Sequence, residues 1–412
     1  MNSKPYDIPK RVVYTAWINV KKAGGGPGID GITLQQYEEN LSRNLYKLWN
    51  RKSSGTYFPQ PVKQVGIEKA DGGTRFLGIP TVTDRIAQTV VRLVLEPKVN
   101  PLFHRNSFGA RPNRSAIDAV RECRANCLKW PWVLDLDISK FFDSIDHSLL
   151  LKAIERHVTA SWQTLYIKRW LKNEIYTPEG VHYSPLCGTP QGSALSPLLS
   201  NLFLHYGLDK WMDRNLPGVP FERYLDDCII HFNTEQEAYE AKKRIEDRMM
   251  EIGLQLHPVK TKIAHCVTKE NPSLKPENVM FTFLGYDFKP RHAGTNETGF
   301  FTTFTPAVGR KAIKRMSTFV RSLNLSKRTN LTITEIATMI NPFIRGWTNY
   351  FKHFRPSEVR RALCPLNRKL IWWAMNKYRI STAKAVDLLQ RLQRKQRNLF
   401  AHWLFGATHA GR

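Results

Sequence analysis

The sequence lacks several features that define whole classes of protein. It contains no long apolar run and no N-terminal segment of the secretory type, so we expect neither a membrane span nor export. Its 6 cysteines form no CxxC pair, which argues against a zinc site of the common spacings. Cys123 and Cys127 stand one helical turn apart and are expected to pack rather than to bind metal. These absences favour a reducing compartment, in the cytoplasm or at the nucleoid.

Acidic residues are scarce relative to basic ones. The chain has 35 Asp and Glu against 62 Lys and Arg, which gives a formal net charge of +27. Such an excess repels itself unless a polyanion neutralises it, so nucleic acid is the expected partner class. An anionic membrane surface is the weaker alternative.

The positive charge is concentrated near the C-terminus. Residues 289–412 hold 24 Lys and Arg but 4 Asp and Glu. The same stretch contains the aromatic residues Trp347, Tyr350, Phe351, Trp372, Trp373 and Trp403. Basic residues interleaved with aromatics suit a phosphate backbone and exposed bases. The alternative is a set of aromatic core positions beneath a solvated basic surface.

The element pattern indicates a mixed α+β protein of two or three domains, as the length of 412 residues also suggests. Residues 62–67 are predicted to form a strand, followed by a turn at residues 71–73, a second strand and a helix. Thr83 is the expected N-cap of that helix, and Pro97 its expected end. Beyond about residue 305 helical spacing dominates, and Pro342 predicts a kink or a late helix start there.

Acids interrupt two stretches that are otherwise apolar. In "VLDLDI" the alternation of a strand places Asp135 and Asp137 on one face. In "RYLDDCIIHF" a strand, a tight turn and a second strand would present Asp226 and Asp227. If the two segments meet, their carboxylates repel each other unless a cation such as Mg²⁺ binds them. An ordinary surface turn is the alternative, because aspartate is common in turns.

These motifs carry a resemblance to a known family. "DLDISKFFDSIDH", "GTPQGSALSPLLSNLFL" and "YLDD" resemble the palm motifs of bacterial group II intron reverse transcriptases, also called maturases. "GIPTVTDRIAQ" and "SFGARPNRSAIDAV" are similar to their finger motifs. "GLQLHPVKTKI" and "FTFLGYDF" resemble the later palm and primer-grip motifs, and "INPFIRGWTNYFKHF" resembles the maturase X segment. The motifs follow in the family's order over roughly residues 15 to 355.

The resemblance implies a right-hand polymerase fold. Its antiparallel sheet and helices would form fingers and palm, an α-helical thumb (the maturase X domain) would follow, and a short basic helical segment would end the chain. The implied ranges are 1–130 for the N-terminal extension and fingers, 131–295 for the palm, 296–360 for the thumb and 361–412 for a DNA-binding-like segment. Residues of the fingers would also return within 150–185.

The resemblance also implies a site for two Mg²⁺ ions, with Mn²⁺ as a substitute. Asp137, Asp226 and Asp227 match the catalytic metal ligands, and the backbone carbonyl of Ile138 would add a further ligand. Phe142 matches the position beneath the sugar of the incoming nucleotide, where a ring would exclude a 2′-hydroxyl. An ordinary core phenylalanine is the alternative for that position.

Further positions match nucleotide and nucleic-acid contacts of the family. The matched nucleotide contacts are Lys69, Arg75, Arg111, Gln191, Gly192 and Lys260. A solvated basic hairpin is the alternative for the first two. Lys260 matches a lysine that would protonate the leaving pyrophosphate, and a plain phosphate contact is the alternative for it. The primer grip would be Leu284 and Gly285. The expected contacts to RNA or DNA are Arg345, Trp347, Lys352, Arg355, Arg368 and Lys369.

The implied activity is RNA-directed DNA polymerisation, a nucleotidyltransferase reaction, together with intron RNA binding that assists RNA splicing and mobility of the retroelement. The implied partners are structured intron RNA, an RNA template with a DNA primer, deoxynucleotides and target DNA. A monomer and a homodimer both fit, and no membrane is involved. The expected location is the bacterial cytoplasm, at the nucleoid when DNA is bound.

Two departures from the family's pattern leave alternatives open. Leu225 stands where the family's box usually has alanine. The larger leucine side chain adds bulk near the primer end. After residue 360 the sequence has no Cys-pair and His-Asn-His cluster, so an endonuclease domain is not expected. One alternative is a free-standing group II-like enzyme recruited to DNA repair or phage defence. The other is a catalytically silent RNA-binding splicing chaperone.

Overall fold

A computed structural model describes residues 4–68, 73–270, 272, 277–295 and 299–407. The predicted α+β class with a helical C-terminal part is confirmed. The predicted turn at residues 71–73 falls largely outside the described residues, as does Lys69. Among the described residues, no helix is both long and apolar enough to cross a membrane.

Helices make up most of the regular structure. In chain order they are α1 (Lys10–Ala23), α2 (Leu34–Glu39), α3 (Leu41–Ser54), α4 (Val82–Val99), α5 (Ala116–Cys127), α6 (Phe141–Ser144), α7 (His147–Glu155), α8 (Ser161–Leu171), α9 (Ser196–Leu204), α10 (Lys210–Asn215), α11 (Glu235–Glu251), α12 (Arg310–Ser322), α13 (Ile333–Phe351), α14 (Pro356–Tyr378), α15 (Thr382–Lys395) and α16 (Ala401–Leu404). Short 3₁₀ turns cover Asn100–Leu102 and Leu325–Lys327, and a π turn covers His205–Asp209.

Within the described residues, the strands form three sheets. They are β1 (Val62–Glu68), β2 (Thr74–Ile79), β3 (Trp132–Leu136), β4 (Ile175–Tyr176), β5 (His182–Tyr183), β6 (Phe221–Tyr224), β7 (Asp227–Phe232), β8 (Lys262–His265), β9 (Phe281–Phe283), β10 (Tyr286–Thr295) and β11 (Gly299–Val308). The strand orders are β2-β1-β4-β5, β6-β7-β3-β8 and β11-β10-β9.

The chain divides into two compact units. The first consists of Met1–Ser115, Leu134–Ile230 and Gln236–Lys262. The second consists of Ala116–Val133, His231–Glu235 and Ile263–Arg412. The finger, palm and thumb boundaries expected from the sequence stay predictions.

Two helix boundaries differ from the sequence-based expectation. The N-cap of α4 is Thr81, whose hydroxyl accepts a hydrogen bond from the Asp84 amide, and not Thr83. Pro97 does not end this helix, which continues to Val99 because a proline in the last turn removes only one late backbone hydrogen bond. The helix also buries a long apolar face, and this packing outweighs the local cost of the proline.

The helical character of the C-terminal part follows its apolar spacing. α13 begins at a capping box in which Thr332 and Glu335 bond each other's backbone amides. It then runs through Pro342, so the late helix start is wrong. Its buried residues Ile336, Ile340 and Ile344 recur every fourth position, as a helix packed on one side requires.

Candidate active site

The paired aspartates lie at a two-residue hairpin turn. β6 pairs with β7 so that Tyr224 faces Asp227, which leaves Leu225 and Asp226 as the turn residues. Leu225 has a φ of 58°, a left-handed value that suits the first central position of such turns. This conformation is costly for a residue that carries a Cβ. The strand, tight turn and strand expected from the sequence are confirmed.

A buried arginine supports this turn through hydrogen bonds. The guanidinium of Arg223 is fully buried and donates to both carboxylate oxygens of Asp209, at 2.7 and 2.6 Å. It also donates to the carbonyl of Leu225 and to Oδ1 of Asn201, both at 3.0 Å. Since one planar group makes all these bonds, the position of the turn carbonyl is tied to that of α9 and the following π turn.

A glycine packs against the same turn. Asn201 donates from Nδ2 to the carbonyl of Gly109 at 2.7 Å. A Cβ at Gly109 would lie 2.5 Å from the Leu225 nitrogen and 3.0 Å from its Cγ. Only glycine fits at this contact, because the atom in the way belongs to the backbone of the turn. The bulk that distinguishes Leu225 is therefore placed against Gly109.

The second acidic segment obeys the predicted alternation. Leu134, Leu136 and Ile138 are buried, whereas Asp135 and Asp137 are partly exposed on the other face. The loop that precedes β8 holds this segment. The Asp137 carbonyl accepts from the His257 amide at 2.8 Å and from Oγ1 of Thr261 at 3.2 Å. Lys260 places Nζ 3.7 Å from Oδ2 of Asp137.

The hairpin and this segment bring four carboxylates together, Asp135 and the three that the resemblance implied as metal ligands. Desolvation first, then the charges of Asp227 and Asp137, raise the pKa of Asp135 to about 8. Desolvation and the charges of Asp226 and Asp137 likewise raise the pKa of Asp227 to about 6, against the pull of Lys260. The sequence placed Asp135 on this face, and the resemblance took Asp137 rather than Asp135 as the metal ligand of this segment.

The pKa of Asp226 is also raised, chiefly by desolvation and then by the charge of Asp137. The charge of Arg75 acts in the opposite direction and lowers the pKa of Asp226. Carboxylates whose pKa is raised because no cation neutralises them are the ligands expected of a divalent-cation site. The donor set at Asp137, Asp226 and Asp227 therefore fits Mg²⁺ by its chemistry.

Two of the expected nucleotide contacts meet in the first unit. Arg75 donates from Nε to Oε1 of Gln191 at 2.8 Å. Beside it, the Gln191 carbonyl accepts from the Gly78 amide at 2.7 Å. Gly192 has a φ of 113°, and a Cβ there would lie 2.3 Å from the Gly78 carbonyl oxygen. Gly192 is thus required for a close approach between two backbone segments.

Phe142 lies beside a core phenylalanine, whereas the side chain of Arg111 bonds to the backbone of a loop. Phe142 is half-buried and contacts the buried ring of Phe141 edge-on, so Phe141 is the core residue of the pair. Arg111 donates to the carbonyls of Asn100, His104 and Ser107 and to the side chain of Asn100. These bonds hold a loop together, and a nucleotide contact by Arg111 stays a prediction.

The expected primer grip lies in the second unit. Leu284 and Gly285 have φ values of 49° and 81° at the turn between β9 and β10. The Leu284 carbonyl accepts from the hydroxyl of Tyr350 at 2.8 Å, and the Gly285 carbonyl accepts from the Gly309 amide at 3.0 Å. α13 therefore supports this turn directly, through a tyrosine that the sequence did not single out for this role.

The basic residues of the second unit differ in exposure. Arg345, Lys352 and Arg368 are exposed. Trp347 is half-buried, with its ring edge-on to Phe319. Arg355 contacts Glu358 and the His292 carbonyl, and Lys369 lies over the Trp372 ring. Lys352 donates to Oδ1 of Asn349 at 3.4 Å.

Comparison with known proteins identifies the family. Residues 67–288 match the family model of reverse transcriptase (RNA-dependent DNA polymerase), which covers more than half of the chain. The chain belongs to the reverse transcriptase family. Residues 313–394 match the group II intron maturase-specific domain. The chain is thus a reverse transcriptase of the group II intron type, as the motifs suggested. It has the finger, palm and helical C-terminal organisation of that class.

Curated relatives agree with this assignment. Protein YkfC of Escherichia coli (strain K12) is 30% identical over 317 residues, which cover 68% of this chain and 80% of that protein. Group II intron-encoded protein LtrA of Lactococcus lactis subsp. cremoris is 30% identical over 282 residues, 66% of this chain and 46% of that protein. A putative COX1/OXI3 intron 1 protein of Saccharomyces cerevisiae is 29% identical over 215 residues, 52% of this chain and 26% of that protein.

We expect Gly109→Ala to destabilise the protein by about 1–3 kcal/mol, because the added methyl must displace the Leu225 backbone. Urea unfolding measures the change. Gly26→Ala is the matched control, since a Cβ there meets nothing within 4 Å, and its stability should stay within about 0.5 kcal/mol of wild type. Equal stability of the two variants would contradict the tight contact.

We expect the stability of the metal-free protein to fall as pH rises from about 4 to about 8. Asp135 and Asp227 have an ordinary pKa of 3.8, against about 8 and about 6 in the folded protein. The folded state therefore binds more protons in this window, and their stabilising contribution is lost as pH rises. Urea unfolding at several pH values should show a shallower fall for Asp135→Asn between pH 6 and 8.

The control for the pH series is Asp7→Asn, which removes an exposed acid of the same unit and should leave the slope unchanged. Identical slopes for wild type and Asp135→Asn would contradict the crowding of charges at Asp135.

Proposed function

We propose that the protein catalyses RNA-directed DNA synthesis and binds the RNA of a group II intron to assist its splicing and mobility. The observation that carries the proposal is the convergence of Asp137 with Asp226 and Asp227, from two separate segments of a strongly basic chain. Acids crowded together in a protein with a net charge of +27 suit phosphoryl chemistry on nucleic acid.

Two Mg²⁺ ions would be held by the carboxylates of Asp137, Asp226 and Asp227 and by the carbonyl of Ile138. When bound, such ions supply charge stabilisation for attack by a primer 3′-hydroxyl on an α-phosphate. The chain's part is to fix these oxygens: the hairpin turn fixes Asp226 and Asp227, and the loop before β8 fixes Asp137. Lys260, whose Nζ lies 3.7 Å from Oδ2 of Asp137, would contact a phosphate or give a proton to the leaving pyrophosphate.

The nucleotide would bind against residues of the first unit. Arg75 and Lys69 would contact its triphosphate, and the charge of Arg75 favours the ionised form of Asp226. Gln191 and Gly192 would border the templating base. The half-buried ring of Phe142 would lie beneath the sugar and exclude a 2′-hydroxyl, so deoxynucleotides would be selected.

The second unit would bind primer, RNA and target DNA. Its maturase-specific domain, residues 313–394, supplies the basis for an intron RNA partner. Exposed Arg345, Lys352 and Arg368 offer charges to phosphates, and the basic segment 361–412 would contact DNA. This work would take place in the bacterial cytoplasm, at the nucleoid when DNA is bound.

We expect wild-type protein to extend a DNA primer on an RNA template in Mg²⁺, and Asp226→Asn to lose this activity. The substitution keeps the shape of the side chain but removes a metal-binding charge. The exposed acid Asp213 provides the control, since Asp213→Asn should retain extension. Failure of wild-type protein to extend any primer would reject the enzyme and leave the splicing chaperone.

We expect Tyr350→Phe to raise the KM for primer–template by roughly two- to tenfold, the worth of one hydrogen bond to the Leu284 carbonyl. The turnover number should change less, since the lost hydrogen bond goes to the primer grip. Tyr378→Phe removes the hydroxyl of a half-exposed tyrosine in the same unit and serves as the control. An unchanged KM for Tyr350→Phe would contradict the support of the primer grip by α13.

A further inference from the structure

A histidine at the end of the motif "DLDISKFFDSIDH" contacts the loop that carries Gln191. Nε2 of His147 lies 2.7 Å from the carbonyl oxygen of Gly188, 41 residues along the chain. Because a carbonyl can only accept, Nε2 carries the hydrogen and donates it. His147 is the first residue of α7, but the cap of that helix comes from Asp146, whose carboxylate accepts from the Leu149 amide. The histidine ring therefore bonds the loop rather than the helix that it begins.

The same loop is bonded to the segment that contains Phe142. The Gly188 amide donates to the Ile145 carbonyl at 2.7 Å. The Thr189 amide donates to the Phe142 carbonyl, also at 2.7 Å. Gly188 has a φ of 87°, and a Cβ there would lie 2.8 Å from the carbonyl oxygens of Phe142 and Asp143. Only glycine fits at this contact, because the atoms in the way belong to the backbone of α6.

The other end of the loop reaches the arginine expected at the triphosphate. Gln191 donates from Nε2 to Oδ1 of Asp143 at 3.4 Å and accepts at Oε1 from Nε of Arg75 at 2.8 Å. Its backbone carbonyl accepts from the Gly78 amide at 2.7 Å. Phe142 and Arg75 are thus linked through one loop, and a shift of that loop would change the distance between them.

One peptide group joins the histidine to the phenylalanine. The peptide between Gly188 and Thr189 accepts from His147 through its C=O and donates to the Phe142 carbonyl through its N–H. Because the peptide is planar, a rotation that moves the C=O moves the N–H as well. Glycine restricts such a rotation less than any other residue, since it has no Cβ. The histidine bond therefore fixes the orientation of the N–H that holds the Phe142 backbone.

We propose that His147 is a positioning residue for sugar selection. It holds the peptide between Gly188 and Thr189, and this peptide fixes the backbone of Phe142, whose ring would lie beneath the sugar of the nucleotide. The inference rests on the proposed function, because it places His147 behind the nucleotide pocket of that reaction. Its effect passes through the loop, so it falls on nucleotide binding and on the choice between deoxyribose and ribose.

Matched substitutions of His147 test the proposal by primer extension with the full chain in Mg²⁺. His147→Phe keeps a flat ring but removes the donor, whereas His147→Gln keeps an N–H donor at the end of the side chain. We expect His147→Phe to raise the KM for deoxynucleotide, and to weaken the preference for deoxynucleotide over ribonucleotide, each by roughly two- to tenfold, as the loss of one hydrogen bond predicts. The turnover number should stay within about twofold of wild type, and His147→Gln should restore both values.

The control is His157→Phe in the same unit. His157 is also half-buried, and its Nε2 lies 2.7 Å from the hydroxyl of Tyr206. This variant should keep the wild-type KM and sugar preference. A folded His147→Phe protein with wild-type values of both overturns the proposal, as does a His147→Gln protein that behaves like His147→Phe.

Hydrogen exchange separates this inference from the proposed function, since it needs no polymerase activity. The amides of Gly188 and Thr189 should exchange roughly two- to tenfold faster in His147→Phe than in wild type and remain at the wild-type rate in His157→Phe. Unchanged exchange in a folded His147→Phe protein overturns the positioning role alone, whereas failure of wild-type protein to extend a primer rejects the proposed function. His147→Ala replaces His147→Phe if the larger ring prevents folding.

Discussion

A fully buried arginine holds the turn on which the candidate active site depends. Removing a guanidinium from water costs several kcal/mol, and the cost is offset only when good partners meet it. Arg223 has such partners in Asp209, Asn201 and the Leu225 carbonyl. Asn201 in turn bonds Gly109, which packs on Leu225. The resulting ring of contacts fixes a left-handed leucine and, beside it, the two aspartates.

The same rigidity explains how the acids stay together. Burial first, and then repulsion between neighbouring aspartates, raises the pKa values of Asp135, Asp226 and Asp227. A flexible turn would relieve the repulsion by moving apart. A turn fixed by Arg223 keeps the carboxylates close together. Because a bound cation relieves their repulsion, the site favours cation binding. Leu225 then helps to hold the turn in place rather than to carry out its chemistry.

Sequence patterns predicted what depends on neighbours along the chain. Strand alternation placed Asp135 and Asp137 on one face, and the apolar flanks of Asp226 and Asp227 predicted the hairpin. Contacts between distant segments were beyond such patterns. Nothing in the spacing joins Arg223 to Asp209 or Tyr350 to Leu284. The N-cap was misplaced because Thr81 and Thr83 both suit a cap, and only geometry separates them.

Binding of Mn²⁺, followed by electron paramagnetic resonance, tests the central claim in wild type and in the double variant Arg223→Met/Asp209→Leu. The double variant keeps the net charge and replaces a buried ion pair by apolar side chains, which often preserves stability. If the ion pair positions the turn, the Kd for Mn²⁺ should rise by about tenfold or more, since misplaced ligands cost affinity. An unchanged Kd in a folded double variant would contradict the account.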